Sequence, residues 1–290
     1  MKLITSKKGM EFTTFHLGTL IMVIIGIIIV IFLIWKWNLS QGKCMAASKE
    51  LCMASVLANS KARVPVVNDE IYAVNCPTKY LTIGLEGYEE ETTECKGGDD
   101  KYFKECGKPN QAGTSQFNKC FFNKTNELIA SRIFNCWEQF GAGNLKVFSE
   151  YEVDRQCIVC EIIEFSEEAR AAYGGEYIGA RYPQYSLDEY MRTTKPSAAY
   201  TASYYELTVD ALDVFQPQIY DYDMQGSYAV LFVAVNQAHV QDMLGDAWSW
   251  FQDKVPWLLG RSSDEPEILF VNALHFVPQE DVQNMCDKLI

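Results

Sequence analysis

Arg155–Phe165 reads RQCIVCEIIEF, and how this stretch folds decides what can surround it. It is rich in β-branched residues and bounded by polar segments, so it is expected as a strand. Cys157 and Cys160 within it have the spacing of a redox-active pair. Such pairs sit at a helix N-terminus, where the dipole stabilises the thiolate, and a strand offers no such terminus. Strand alternation instead sends the two sulfurs to opposite faces, so each is expected to bond a different partner, with Cys136 a candidate for one of them. Zinc is disfavoured at this pair, because no histidine lies near it and no second pair follows at finger spacing.

Working outward, nine of the ten cysteines (Cys44, Cys52, Cys76, Cys95, Cys106, Cys120, Cys136, Cys157 and Cys160) fall between residues 44 and 160, and only Cys286 lies beyond. That density in a chain with three histidines is what disulfide pairing in an oxidising compartment produces. If all ten pair within the chain, Cys286 bonds back into the first half. Residues 38–165, a cysteine-rich helix, loop and strand region, and 166–290, a tyrosine-rich α+β region, are then covalently closed on each other. Cys44 and Cys52 fall in a helical segment, Ser40 to Ala62, where eight residues span about 12 Å, too far for a mutual bridge.

Upstream, Leu17 to Trp35 (LGTLIMVIIGIIIVIFLIW) carries no charge over nineteen residues. As a helix it is long enough to cross a bilayer. Trp35 and Trp37 suit the headgroup level and Lys36 can snorkel between them. We read 1–16 as a cytoplasmic segment and 17–37 as an uncleaved signal-anchor that places the chain in the lipid bilayer, since it lacks the short apolar core and small-residue cut site of a cleaved signal. Lysines balance on the two sides of the span, so the cysteines decide the orientation, with the C-terminal part outside. Of two glycosylation sequons, at Asn38 and Asn123, Asn123 is the better acceptor, because Asn38 lies almost at the bilayer. The net charge of −13 weighs against nucleic acid as a partner.

Val64 to Gln116 is turn-rich, with one or two short strands, Lys79 to Leu85 the clearest. A helix is expected over Asn126 to Phe140, with an apolar stripe that includes Cys136 and with Gly141 as its stop. Ser166-Glu167-Glu168 opens a short helix that Gly174-Gly175 ends. Ser186 to Glu189 forms a capping box stapled by Tyr185 and Tyr190, and Lys195-Pro196 stops that helix. Eleven tyrosines lie between Tyr173 and Tyr228, most of them read as ordinary edge and rim residues. Tyr228 to Val235 and Ile268 to Val277 are apolar throughout, which suits the middle of a sheet.

The insertion between these strands is the candidate partner surface. Over Val240 to Phe251 apolar residues recur at helical spacing, and Trp248, Trp250, Phe251 and Trp257 supply aromatic anchors. Its opposite face carries Asp242, Asp246 and Asp253, which argues against a membrane-surface role. Either this face packs on the chain's own sheet, or residues 240–259 dock a protein partner or a second copy.

The run Lys7-Lys8-Gly9-Met10-Glu11-Phe12 before the apolar span resembles the class III signal of archaeal pilin-like proteins. A cut after Gly9 would put Glu11 second in the mature chain, where that signal usually sets its Glu fifth. Cys136-Trp137-Glu138-Gln139-Phe140-Gly141, Cys157 to Cys160, Leu187 to Met191 with Thr194-Lys195-Pro196, Ser203-Tyr204-Tyr205 and Cys286-Asp287 are together similar to single-span, cysteine-rich surface proteins of small-genome archaea. The resemblance implies no activity.

Motifs for catalysis are sparse. There is no Gly-x-Ser-x-Gly, no phosphate-cradling glycine loop and no His-Glu-x-x-His, and His16, His239 and His275 each suit structural positions. Asp221 and Asp223 begin like a calcium loop, but Phe232 stands where the bidentate Glu is needed, which leaves at most a weak metal site. The chain is thus expected to be α+β: a transmembrane helix and a disulfide-stabilised extracytoplasmic domain at the cell membrane. It is expected to act in binding or assembly, with no cofactor and no catalysis. A pilin-like filament subunit is the first alternative, and a thiol oxidoreductase or metal-dependent enzyme the second.

Overall fold

The structure is a computed structural model and describes residues 24–26, 44–61, 76–92, 96–142, 155–175, 178–209, 221–236 and 270–289. The expected span 17–37, apart from the helical turn at 24–26, and the insertion with Trp248, Trp250, Phe251 and Trp257 lie outside them. Among the described residues no helix is long and apolar enough to cross a membrane. Residues 46–290 form one compact unit of mixed α/β architecture, in which both halves of the chain contribute strands to a single sheet.

Arg155–Phe165 is a strand over its whole length, β4, and it lies inside the sheet. β1 (Lys79–Ile83) pairs with it in parallel and β5 (Tyr228–Asn236) antiparallel. Beyond β1 lie β2 (Tyr88–Glu91) and β3 (Lys96–Asp99), joined antiparallel. Thus the turn-rich stretch holds three strands, where one or two were expected. Gly87 is required at the β1–β2 turn, because any Cβ there would overlap the backbone of Asp99 and Asp100. β6 (Phe270–Pro278) pairs with β5 and ends the strand order. Its apolar run was expected mid-sheet. Instead its burial comes from the layers on its two faces, as Leu274 and Phe276 join one core and Val277 the other. A short β7 (Lys288–Leu289) adds in parallel to β4.

One face of the sheet is covered by helices, chiefly α2 (Ser115–Gln139), which follows α1 (Cys44–Lys61). α2 begins eleven residues before the Asn126 expected from sequence. Thr114 caps it, its hydroxyl accepting the Phe117 N–H at 3.4 Å, and Phe117, Phe121 and Phe122 are fully buried. This aromatic burial outweighs the weak helix propensity of Asn118 and Asn123. At the other end, Gly141 (φ 72°) donates to the Glu138 carbonyl and Ala142 to that of Trp137, a Schellman stop. The short helices α3 (Glu167–Tyr173), α4 (Ile178–Arg181), α5 (Leu187–Thr193) and α6 (Tyr204–Val209) follow. Ser166 caps α3 and Ser186 caps α5, as their sequences imply. The two rings expected to staple α5 find partners elsewhere: Tyr185 packs on Phe122 and Tyr182, and Tyr190 on Tyr204.

The other face carries a smaller core of Ala229, Leu231, Val233 and Val277 under α7 (Val282–Met285). Disulfides fasten both faces to β4. Cys136–Cys160 ties α2 to the helix-covered face, and Cys157–Cys286 ties the C-terminal segment to the opposite one. Cys52–Cys76 fixes α1, and Cys106–Cys120 anchors the loop before α2. Among the described residues no cysteine is free.

Candidate functional site

Four charged side chains that the sequence did not single out meet between α2 and the sheet. Arg132 of α2 reaches Glu90 of β2 at 2.9 Å and lies 3.8 Å from Glu161 of β4, while Lys79 of β1 lies 3.2 Å from Glu90. All four are largely shielded from water, with side-chain exposures between 5% and 14%. The Arg132 guanidinium also covers the Tyr88 ring, 5.5 Å from its centre.

A β-bulge brings Glu161 here. Val159 faces Leu231 and Glu161 faces Val230, so Cys160 is the extra residue. With it inserted, Cys160 and Glu161 both point at α2, where Cys136 and Arg132 sit one helical turn apart. Burial pushes the Glu161 carboxyl up to about 7, Arg132 only partly opposing it, with Glu90 adding to the rise and Lys79 opposing it. Burial pulls Arg132 down, but Glu161 and Glu90 more than restore its charge. The Glu161 oxygen nearest Arg132 accepts no hydrogen bond, because the guanidinium at 3.8 Å is an ion-pair neighbour beyond hydrogen-bonding reach.

A cleft of about 570 Å³ opens where β1 and β4 end side by side. Gly84, Tyr88 and Ser166 line it, and Glu86, Glu89, Asp100 and Glu168 set carboxylates around it. The Ser166 N–H donates to the Ile83 carbonyl at 2.9 Å, which closes the floor. The rim favours cationic or hydrogen-bond-donating groups.

The chain matches no protein-family model, no curated protein and no solved structure. The assignment of roles therefore rests on the residues themselves.

Asp221 and Asp223 are both engaged in holding backbone. Asp221 accepts from the Ser186 hydroxyl at 3.0 Å and the Leu187 N–H at 2.9 Å, and so completes the N-terminus of α5. Gly179 makes room for it, since a Cβ there would overlap the carboxylate. Asp223 accepts from Gly175 and Gln225 N–H groups. Between them, the Tyr222 hydroxyl donates to Asn126 at 2.8 Å, and Asn126 donates to the Tyr185 carbonyl at 2.9 Å. Among the described residues no group of three metal-ligating side chains converges.

Asn123 is exposed on α2, not on a loop, and Thr125 of its sequon is fully buried. His275 is buried in β6, and burial pulls its imidazole down to about 4, so it is neutral at ordinary pH. Tyrosines Tyr173, Tyr182, Tyr185 and Tyr204 pack on α2 through rings of Phe122 and Phe134.

Proposed function

We propose that this chain is an extracytoplasmic binding or assembly protein, held at the cell membrane by residues 17–37 and without catalytic activity. The observation that carries the reading is the set of four disulfides among the described residues, two of which fasten opposite faces of one central strand. Bridges so placed belong to an oxidising compartment. The apolar run Leu17 to Trp35 supports an anchor ahead of them. Use of Asp221, Asp223 and Ser186 as structural caps supports recognition over chemistry.

Protease added to intact cells, followed by blotting for each end of the chain, tests the topology. Digestion of the C-terminal body with the N-terminus spared is expected. Full protection in sealed cells, or thiols that react with alkylating agents before reduction, would overturn the proposal.

A further inference from the structure

The free edge of β3 is complementary to itself. β3 ends the strand order, and its four residues, Lys96, Gly97, Gly98 and Asp99, are all exposed. Alternate residues of a strand turn their N–H and C=O groups to each edge, and on the side away from β2 no strand takes them up among the described residues. Two glycines stand in the middle of this edge, where bulky or charged side chains would block pairing.

Charge selects both the occupant and the register. Glu90 turns towards Arg132 of α2, so its neighbours Glu89 and Glu91 turn to the opposite face of the sheet. On that face Lys96 lies beside Glu91, its Nζ 3.0 Å from the carboxylate, and Gly98 lies beside Glu89. Glu89 is exposed and has no ion pair among the described residues. Gly98 keeps the place next to it bare, because a Cβ there would overlap the Tyr88 carbonyl oxygen.

A two-fold axis through the edge leaves each face of the sheet on its own side, so residues that it brings opposite each other must share a face. Centred on Gly97, the axis sets Lys96 of each copy opposite Gly98 of the other. Each lysine then stands in a row between Glu91 of its own chain and, across the bare glycine, Glu89 of the other. Their backbones are two strand spacings apart, about 10 Å, which the two long side chains close by leaning together. Centred on Lys96, the axis would oppose two lysines. Centred on Gly98, it would set Asp99 in line with Glu90 of the other copy, carboxylate towards carboxylate. Of these three registers only the one about Gly97 is complementary.

We infer that the chain self-associates through β3, two copies pairing antiparallel about Gly97 so that Lys96 of each meets Glu89 of the other and the two sheets continue as one. The inference rests on the assembly half of the function proposed above and not on the anchor. So short an edge buries far less than the roughly 1,600 Å² of a standard interface, so the pairing is weak and must be sought at high concentration.

A zero-length carbodiimide, which joins an amine to a carboxylate in contact with it, tests the pairing on a mixture of unlabelled and ¹⁵N-labelled full chain in detergent. Sedimentation at rising concentration measures association beside it, with circular dichroism as the check on folding. Lys96–Glu89 links that mix the two isotopes are expected, and Lys96–Glu91 links within one chain. Lys96→Glu and Glu89→Lys, both at exposed positions, should each weaken association tenfold or more, and the two together should restore it. A chain still monomeric at the highest concentration reached would overturn the inference, as would Lys96–Glu89 links that never mix isotopes or a charge-swapped pair as weak as either single variant. Cross-linking on intact cells that joins Glu89 to a different protein and never to a second copy would also overturn it. Failure of the anchor would appear separately, as a chain found in the soluble fraction.

Discussion

Replacing Glu161 by glutamine should make the protein more stable at pH 8 and should flatten its pH profile. The carboxyl titrates near 7 in the folded chain, against an ordinary 4.5, because burial disfavours its charge more than Arg132 supports it. A carboxyl raised in this way binds its proton more tightly folded than unfolded. Its stabilising contribution is therefore complete below about pH 4.5 and is lost as pH rises through 7. At 1.36 kcal/mol per tenfold, the interval from 4.5 to 7 corresponds to about 3 kcal/mol. Glutamine keeps the shape, never ionises, and leaves Arg132 paired with Glu90 at 2.9 Å. It should recover much of that amount at pH 8 and little at pH 4.5, in line with neutral replacements of buried ion pairs. Chemical denaturation of the oxidised chain at the two pH values measures this. Parallel profiles for the two proteins, or a variant less stable by 2 kcal/mol or more at pH 8, would refute the argument, since either means that the charged form is well accommodated.

Other perturbations follow from the same geometry. Burial lowers His275 to about 4 from 6.5, so its contribution is present above pH 6.5 and is lost as pH falls through 4, by up to about 3 kcal/mol; imidazole shifts in NMR should report a neutral ring at pH 5. Cys286→Ser opens a bridge between residues 129 apart and should cost about 4 to 5 kcal/mol by loop entropy, with hydrogen exchange rising first in α7 and β7. Tyr222→Phe leaves the buried Asn126 carbonyl without its donor and should cost about 1 to 3 kcal/mol, read from urea midpoints.

Much of the body was legible because its decisive signals are local. The β-branched run of β4, the Ser166 and Ser186 caps and the Gly141 stop act within a few residues of themselves. Opposite faces for Cys157 and Cys160 followed from alternation, and cysteine parity pointed Cys286 back into the first half. The start of α2 was hidden because Asn118 and Asn123 are weak helix formers. What holds them in a helix is the burial of Phe117, Phe121 and Phe122 against rings such as Tyr173 and Tyr182, more than fifty positions away. Likewise the edge position of β6 depends on which strand it pairs with, and its apolar sequence cannot tell a central strand from an edge strand covered on both faces.

The buried charges show why the candidate site was the least legible part. Lys79, Glu90, Arg132 and Glu161 lie in four separate elements, and none forms a motif with its sequence neighbours. In a regular strand Cys160 and Glu161 would face opposite ways, and alternation drawn from Ile158 would have turned Glu161 away from α2. One inserted residue reverses that, so the same bulge gives the helix a disulfide at Cys136 and an ion pair at Arg132, a single turn apart. The covalent bond fixes the register of α2 on β4, and in that register the charge has nowhere else to go. Glu161 is thus held in a costly place by a neighbour that cannot let go. For this reason the gain expected from Glu161→Gln should persist only while Cys136–Cys160 is intact: once the bond is reduced, α2 is free to relax away from the carboxylate and the advantage of the neutral side chain at pH 8 should shrink.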